Sequence, residues 1–333
     1  MNLTRNDILL LDKSDLHAHL GSMVGSKRLW ELAHEQGLKL PTKDFRKFND
    51  IISGTNDSGL NHKKYLNKFN LTQKIQGSPL AVEQSVFNAI SESYLNDNIT
   101  LLELRFNPFL RNRSGFYDVD MVISHACIGL IRAMSIYPVK AGIIISTDRS
   151  FDKKLTNILA KKAIKYKNIG VIGFDMSGGN VSEFNIKDFE SAFKMVKEAD
   201  MGTTIHTAEV ANISLDETKY IVKNFDIDRI GHGIRIIEDI NLLTYISSKR
   251  IHLEICPTSN VITKCVNNYK DFNKILNILQ MNHVDISINT DGCVFLNTSV
   301  TNEYDKLHDI GFVYDIEQIK ELEQSSIKAS FIR

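Results

Sequence analysis

Two histidines one residue apart, His17 and His19, sit inside the run Asp15-Leu16-His17-Ala18-His19-Leu20. The run is otherwise mostly apolar, as in a strand. Alternate side chains of a strand leave the same face, so both imidazoles project together. Such a pair can offer two nitrogen ligands to one zinc ion; two ordinary polar residues at a strand end are the plainer alternative. Late positions favour the first. His206 opens His206-Thr207-Ala208-Glu209, His232 lies in Arg229-Ile230-Gly231-His232-Gly233, and Asp291 closes Asn289-Thr290-Asp291. Each follows an apolar run. Three imidazoles and a carboxylate suit zinc, and a glutamate and a further histidine remain for proton transfer.

These residues meet only if the runs that carry them end on a common rim. Apolar runs alternate with helical patterns, and the pattern predicts eight strands, over 15–19, 101–106, 141–147, 171–176, 202–207, 229–232, 251–256 and 285–291. Helical spacing marks 187–198, 216–224, 239–249 and 269–282 between the later ones, and 316–332 as a closing helix. Strands alternating with helices imply a parallel sheet, and eight such units a closed (β/α)₈ barrel. In that barrel every strand C-terminus meets at one mouth, where catalytic residues gather. The segment 22–98 interrupts the alternation with helical patterns at 27–35 and 79–97 and the polar run Ser53-Gly54-Thr55-Asn56-Asp57-Ser58-Gly59. Placed after strand one, it would lie over the catalytic mouth, as a lid or as a packing elaboration.

Composition narrows the partner class. The 333 residues are 43% hydrophobic and 24% charged, with 40 basic and 40 acidic side chains. A balanced charge gives no footprint for nucleic acid or an anionic membrane. No secretory leader is read at the N-terminus and no span long and apolar enough to cross a bilayer. Four scattered cysteines without a Cys-x-x-Cys pair fit reduced thiols. The expectation is a single cytoplasmic domain over 1–333.

At this point the chain resembles the adenosine deaminase family of the amidohydrolase superfamily, nearly end to end. The matching stretches are Lys13-Ser14-Asp15-Leu16-His17-Ala18-His19-Leu20, Leu102-Glu103-Leu104-Arg105-Phe106-Asn107-Pro108, Asp175-Met176-Ser177-Gly178-Gly179, His206-Thr207-Ala208-Glu209, Arg229-Ile230-Gly231-His232-Gly233 and Glu254-Ile255-Cys256-Pro257-Thr258-Ser259-Asn260. Thr301-Asn302-Glu303-Tyr304 and Ser330-Phe331 resemble the family's C-terminal elements. The resemblance implies that His17, His19, His206 and Asp291 bind Zn²⁺. It implies that Glu209 handles a proton at the ring nitrogen beside the reacting carbon, and that His232 orients or deprotonates the attacking water. His19 and the backbone N–H of Gly178 would face the substrate, and Asp291 would also hold the water. No lysine stands near the end of strand four to bridge a second metal, so one ion is expected. The His-x-Glu and Pro-Cys-x-x-Cys signature of the other zinc deaminases is absent.

Departures from the family bear on the substrate. Gly292 stands where the family has a second aspartate that contacts the purine's five-membered ring, and Cys293 where it has proline. Leu20 runs directly into Gly21-Ser22, without the intervening Asp or Asn toward the ribose. Ala208 replaces a glycine, which means strain if the turn needs positive φ. The reading is therefore zinc-dependent deamination of adenosine or a related aminopurine nucleoside, releasing ammonia. The alternatives are the same chemistry on a modified adenine nucleoside, a nucleotide or a free base, or a catalytically silent nucleoside-binding protein.

Overall fold

Eight strands pair in parallel and in chain order: β1 (Lys13–His19), β2 (Ile99–Phe106), β3 (Lys140–Asp148), β4 (Val171–Ser177), β5 (Gly202–Thr207), β6 (Arg229–His232), β7 (His252–Ile255) and β8 (Ile286–Ile288). These come from a computed structural model that describes residues 3–53, 62–111, 118–179, 184–210 and 214–333. Helices follow the strands, and the architecture is a nearly closed (β/α)₈ barrel. The strands are buried on both faces, which is why they read as apolar runs. The helices start at side-chain caps: Asp152, Asp239 and Asn268 each accept a backbone N–H in the first turn.

The seam is narrow and sits at the chemistry. One bridge closes it, Ala18 of β1 with Asp291, which lies past the end of β8. His19 N donates to Asp291 O at 3.0 Å, and Asp291 N to His17 O at 2.9 Å. β8 is shorter than the expected 285–291 because its last residues leave the ladder. Asn289 turns its side chain to accept from Leu16 N at 2.8 Å, and Asp291 adopts φ +62°. Buried Asp15 accepts from the Thr290 hydroxyl at 2.6 Å, fixing the turn that carries Asp291.

The barrel interior below the mouth is charged. Glu254 lies between Arg105 (2.7 Å) and Arg229 (2.8 Å), and Arg229 also reaches Glu103 at 2.6 Å. The C-terminus closes the far end. Glu103 accepts from Ser330 Oγ and Phe331 N, both at 2.7 Å, and the Phe331 ring lies 3.6 Å from the Arg229 guanidinium. A Cβ on Gly202 would come within 2.1 Å of that ring, so β5 must begin with glycine.

One expectation is corrected. Helix Val119–Ile136 is long and apolar enough to cross a membrane by length and composition. Its place explains its character: it connects β2 to β3, packs against helix Pro79–Asp97 and β3, and buries Val122, Ile123, Ala126, Leu130 and Ala133. The expected insertion contains helices Ser26–Glu35, Phe45–Ser53, His62–Ile75 and Pro79–Asp97. Most of the polar run 53–59 lies outside the described residues.

Candidate active site

A cavity of about 360 Å³ opens at the C-terminal mouth of the barrel, lined by His19, Gly178, His206, Glu209, His232 and Asp291 among others. Those residues come from the ends of β1, β4, β5, β6 and β8. His17, wholly buried, lies just beneath, its ring centroid 4.6 Å from that of His206 and 5.2 Å from that of His19. All the residues singled out in the sequence are thus brought together.

The second nitrogen of two imidazoles is anchored. His17 Nδ1 donates to Glu254 at 2.6 Å, and His206 Nδ1 to Asp175 at 3.0 Å. Such outer partners fix tautomer and ring orientation in metal sites. The anchoring turns Nε2 of each ring inward. His17 Nε2 is buried without a hydrogen-bond partner, and His19 Nε2 faces His206 Nε2 at 3.0 Å. Asp291 Oδ1 stands 3.4 Å from His19 Nε2 and 3.8 Å from His17 Nε2. Ligands at 2.0–2.2 Å around tetrahedral zinc are separated by roughly 3.3 Å, so the four donors fit that ion. Burial keeps His17 and His19 neutral by pushing their pKa well below the ordinary value, which leaves lone pairs free to bind metal. A second group, His17, His232 and Cys256, is also close. Burial holds the Cys256 thiol well above its ordinary pKa and its S–H lies 3.6 Å from Glu254 O, so it is a poor ligand.

Glu209 forms the opposite wall. It is 8% exposed, and burial first, then the Asp291 charge, push it up to about 7. His232 Nε2 and His62 Nε2 stand 3.7 and 3.6 Å from its Oε2. The Asn260 amide donates to Glu209 at 3.3 Å and meets His232 Nδ1 at 3.2 Å. An Asn260 donor at Nδ1 puts the proton of neutral His232 on Nε2, aimed into the site. Burial keeps that ring neutral. Ala208, His232 and Asp291 all adopt left-handed φ, +51°, +64° and +62°. Backbone strain at three adjoining site positions is characteristic of functional turns.

Several participants carried no signal of their own in the sequence. His62 and Tyr65 reach in from helix His62–Ile75, part of the insertion, which therefore covers the mouth. Ser259 donates to Asp291 Oδ2 at 2.5 Å. Glu254 and Asp175 lay within matching stretches but without an assigned task. Glu254 is the keystone of these: against burial, Arg105 and Arg229 hold its carboxyl down at about 2. Glu254→Ala would leave two buried guanidinium groups short of a partner, and we expect a loss of about 3–5 kcal/mol in a denaturant titration.

Compared with known proteins, residues 12–333 match the family described as adenosine deaminase. The chain belongs to the adenosine deaminase family. Adenosine deaminases are metal-dependent hydrolytic deaminases of adenosine or related aminopurines. The probable adenosine deaminase of Dictyostelium discoideum is 31% identical over 332 residues, 99% of this chain; the chain spans 42% of that protein's length. The adenosine deaminase of Clostridium perfringens strain 13 is 27% identical and is covered to 95%, with 98% of this chain. Among solved structures, the N6-mAMP deaminase of Arabidopsis is 25% identical with a TM-score of 0.83, over 98% of this chain and 95% of that one. Against the adenosine deaminase pattern, the Gly292 departure has a steric cause. A Cβ there would lie 2.5 Å from Ser22 Oγ and 2.6 Å from the Tyr65 hydroxyl, so the space of an aspartate is already filled.

Proposed function

We propose that this chain is a one-zinc aminohydrolase domain spanning 1–333 that replaces the amino group of an adenosine-like purine by oxygen and releases ammonia. The observation that carries it is the convergence of His17, His19 and His206 Nε2 with Asp291 on one point beside Glu209. No lysine lines the cavity among the described residues, which supports a single ion. Bound there, zinc supplies water acidic enough to act as hydroxide near neutral pH.

The chain's own residues do the rest. Attack on an amino-bearing ring carbon breaks conjugation, so the neighbouring ring nitrogen must take a proton. Glu209, whose carboxyl burial raises to about 7, keeps a large share of its acid form near neutral pH and can hold that proton. His232 presents Nε2–H to the incoming oxygen, held in that tautomer by Asn260. Of its two expected roles, orienting the water fits this tautomer. Asp291 accepts from Ser259 through one oxygen and keeps the other toward the histidines. Gly178, at φ +99°, lines the cavity where its N–H can meet a ring nitrogen. Four free cysteines support a reducing compartment, the cytoplasm.

The test is a panel of adenosine, AMP, N6-methyl-AMP and adenine incubated with the zinc-loaded protein while ammonia is measured. We expect ammonia in step with purine consumption for at least one of them. If the wild type releases no more than a Glu209→Ala variant on any compound, the silent binding protein is the correct reading.

A further inference from the structure

Four arginines are buried: Arg105, Arg111, Arg149 and Arg229. Three have carboxylates. Arg105 meets Glu254 at 2.7 Å, Arg149 meets Glu217 at 2.8 Å, and Arg229 meets Glu103 at 2.6 Å. Arg111 has none among the described residues. It is 2% exposed, in the turn Phe109–Arg111 just beyond β2, and it lines the active-site cavity. Nε donates to Gln76 Oε1 and Nη1 to Asn107 O, both at 3.2 Å. Nη2 donates to no described residue. The guanidinium also lies 5.2 Å from the Phe106 ring centre.

The side chain is held at Nε and Nη1, and Nη2 meets none of the described residues. Gln76 also donates from Nε2 to Leu20 O at 3.2 Å, which ties Arg111 to the turn that follows His19. The nearby cavity carboxylate, Asp148, instead accepts the Ser150 N–H at 2.8 Å and its hydroxyl at 2.5 Å. A guanidinium stays charged at neutral pH, and burial without a counter-charge is strongly unfavourable. Burial draws this group down to about 9, and no carboxylate among the described residues opposes it. Among the described residues nothing supplies the opposing negative charge, and the cavity that Arg111 lines is where an anionic ligand would supply it. Arginine's planar fork matches phosphate oxygens.

We propose that Arg111 binds an anionic group of the substrate, and that the aminopurine taken here is a nucleoside monophosphate, held by its phosphate. The purine half of this statement rests on the proposed function; the anion half rests on Arg111 alone. The absence of a carboxylate at position 292 and after Leu20 leaves the cavity less acidic, in keeping with an anionic ligand.

Calorimetry with unreactive products separates the two halves. IMP, inosine, inosine carrying a carboxylate in place of the phosphate, and inorganic phosphate are titrated into wild type, Arg111→Ala and Arg111→Lys. We expect wild type to prefer IMP over inosine by about 100-fold or more, and Arg111→Ala to erase most of that ratio. Arg111→Lys, which keeps a cation in the core, should fall between them. Thermal melts confirm that each variant is folded. A wild-type ratio near one overturns the proposal, as does a ratio that survives both substitutions. Equal binding of the carboxylate analogue and IMP overturns the phosphate assignment. If the ratio depends on Arg111 while no aminopurine yields ammonia, the anion subsite stands and the deaminase reading falls.

Discussion

The Glu209→Gln protein turns over its aminopurine about 1,000-fold more slowly than wild type, at equal zinc content. A positioned general acid supplies between about 100- and 10,000-fold, and His62, the imidazole that meets Glu209 from the insertion, has its pKa lowered by burial. His232 points Nε2 at Glu209 but is held neutral, with its other nitrogen engaged by Asn260. The amide keeps the size of the side chain and the Asn260 contact but cannot release a proton, so KM changes far less than kcat. The pH profile gives the sign. Burial first, and then the Asp291 charge, raise the Glu209 carboxyl to about 7. The acid form is the one required, so kcat falls as pH rises through that value. A dication in the site offsets the Asp291 contribution and leaves that of burial, so the alkaline limb is centred no higher than about pH 7. Steady-state kinetics from pH 5 to 9 measure both effects. Unchanged kcat in Glu209→Gln would remove this residue from the chemistry.

Stripping the metal has the larger effect. Chelation lowers turnover by at least about 10,000-fold, and added zinc restores it, because neutral water is a weak nucleophile without a Lewis acid. Asp291→Ala has the same phenotype without chelator, since it removes a ligand and also frees Ser259. Asp175→Ala acts one step out. It leaves the ligand set whole but frees His206 Nδ1, and a loss of about 10- to 100-fold in zinc affinity is expected. Zinc content by elemental analysis, read beside activity, orders the three. Full activity in thoroughly metal-free protein would contradict the proposed chemistry.

Much of this was legible in the amino-acid sequence. Buried parallel strands are continuous apolar runs, so all eight were found, β5 and β6 to the residue. The ends of β7 and β8 were not, because Cys256 and Asn289 have strand-like chemistry but leave the ladder for a helix start and a side-chain bond to Leu16. The metal donors were readable because each sits in the last residues of a strand or just past its end. Their supporters were harder to see. Glu254 and Asp175 point into the barrel from mid-strand, where a carboxylate gives no periodic signal, and only the partners across the barrel show their task. His62 meets Glu209 from a helix in the insertion, and no spacing rule links those positions. Arg111 was unreadable for the opposite reason: its meaning lies in the lack of a carboxylate beside it among the described residues. The turn at Ala208 was anticipated as a choice between strain and a new geometry, and φ +51° shows strain, of about 1–2 kcal/mol.

Anomalous diffraction at the zinc edge, on crystals of the zinc-loaded protein, tests the central claim most directly. The account predicts one peak, about 2.0–2.2 Å from Nε2 of His17, His19 and His206 and from an Asp291 oxygen. A peak bound instead by His232 and Cys256, a second peak in the cavity, or no peak among these side chains would contradict it.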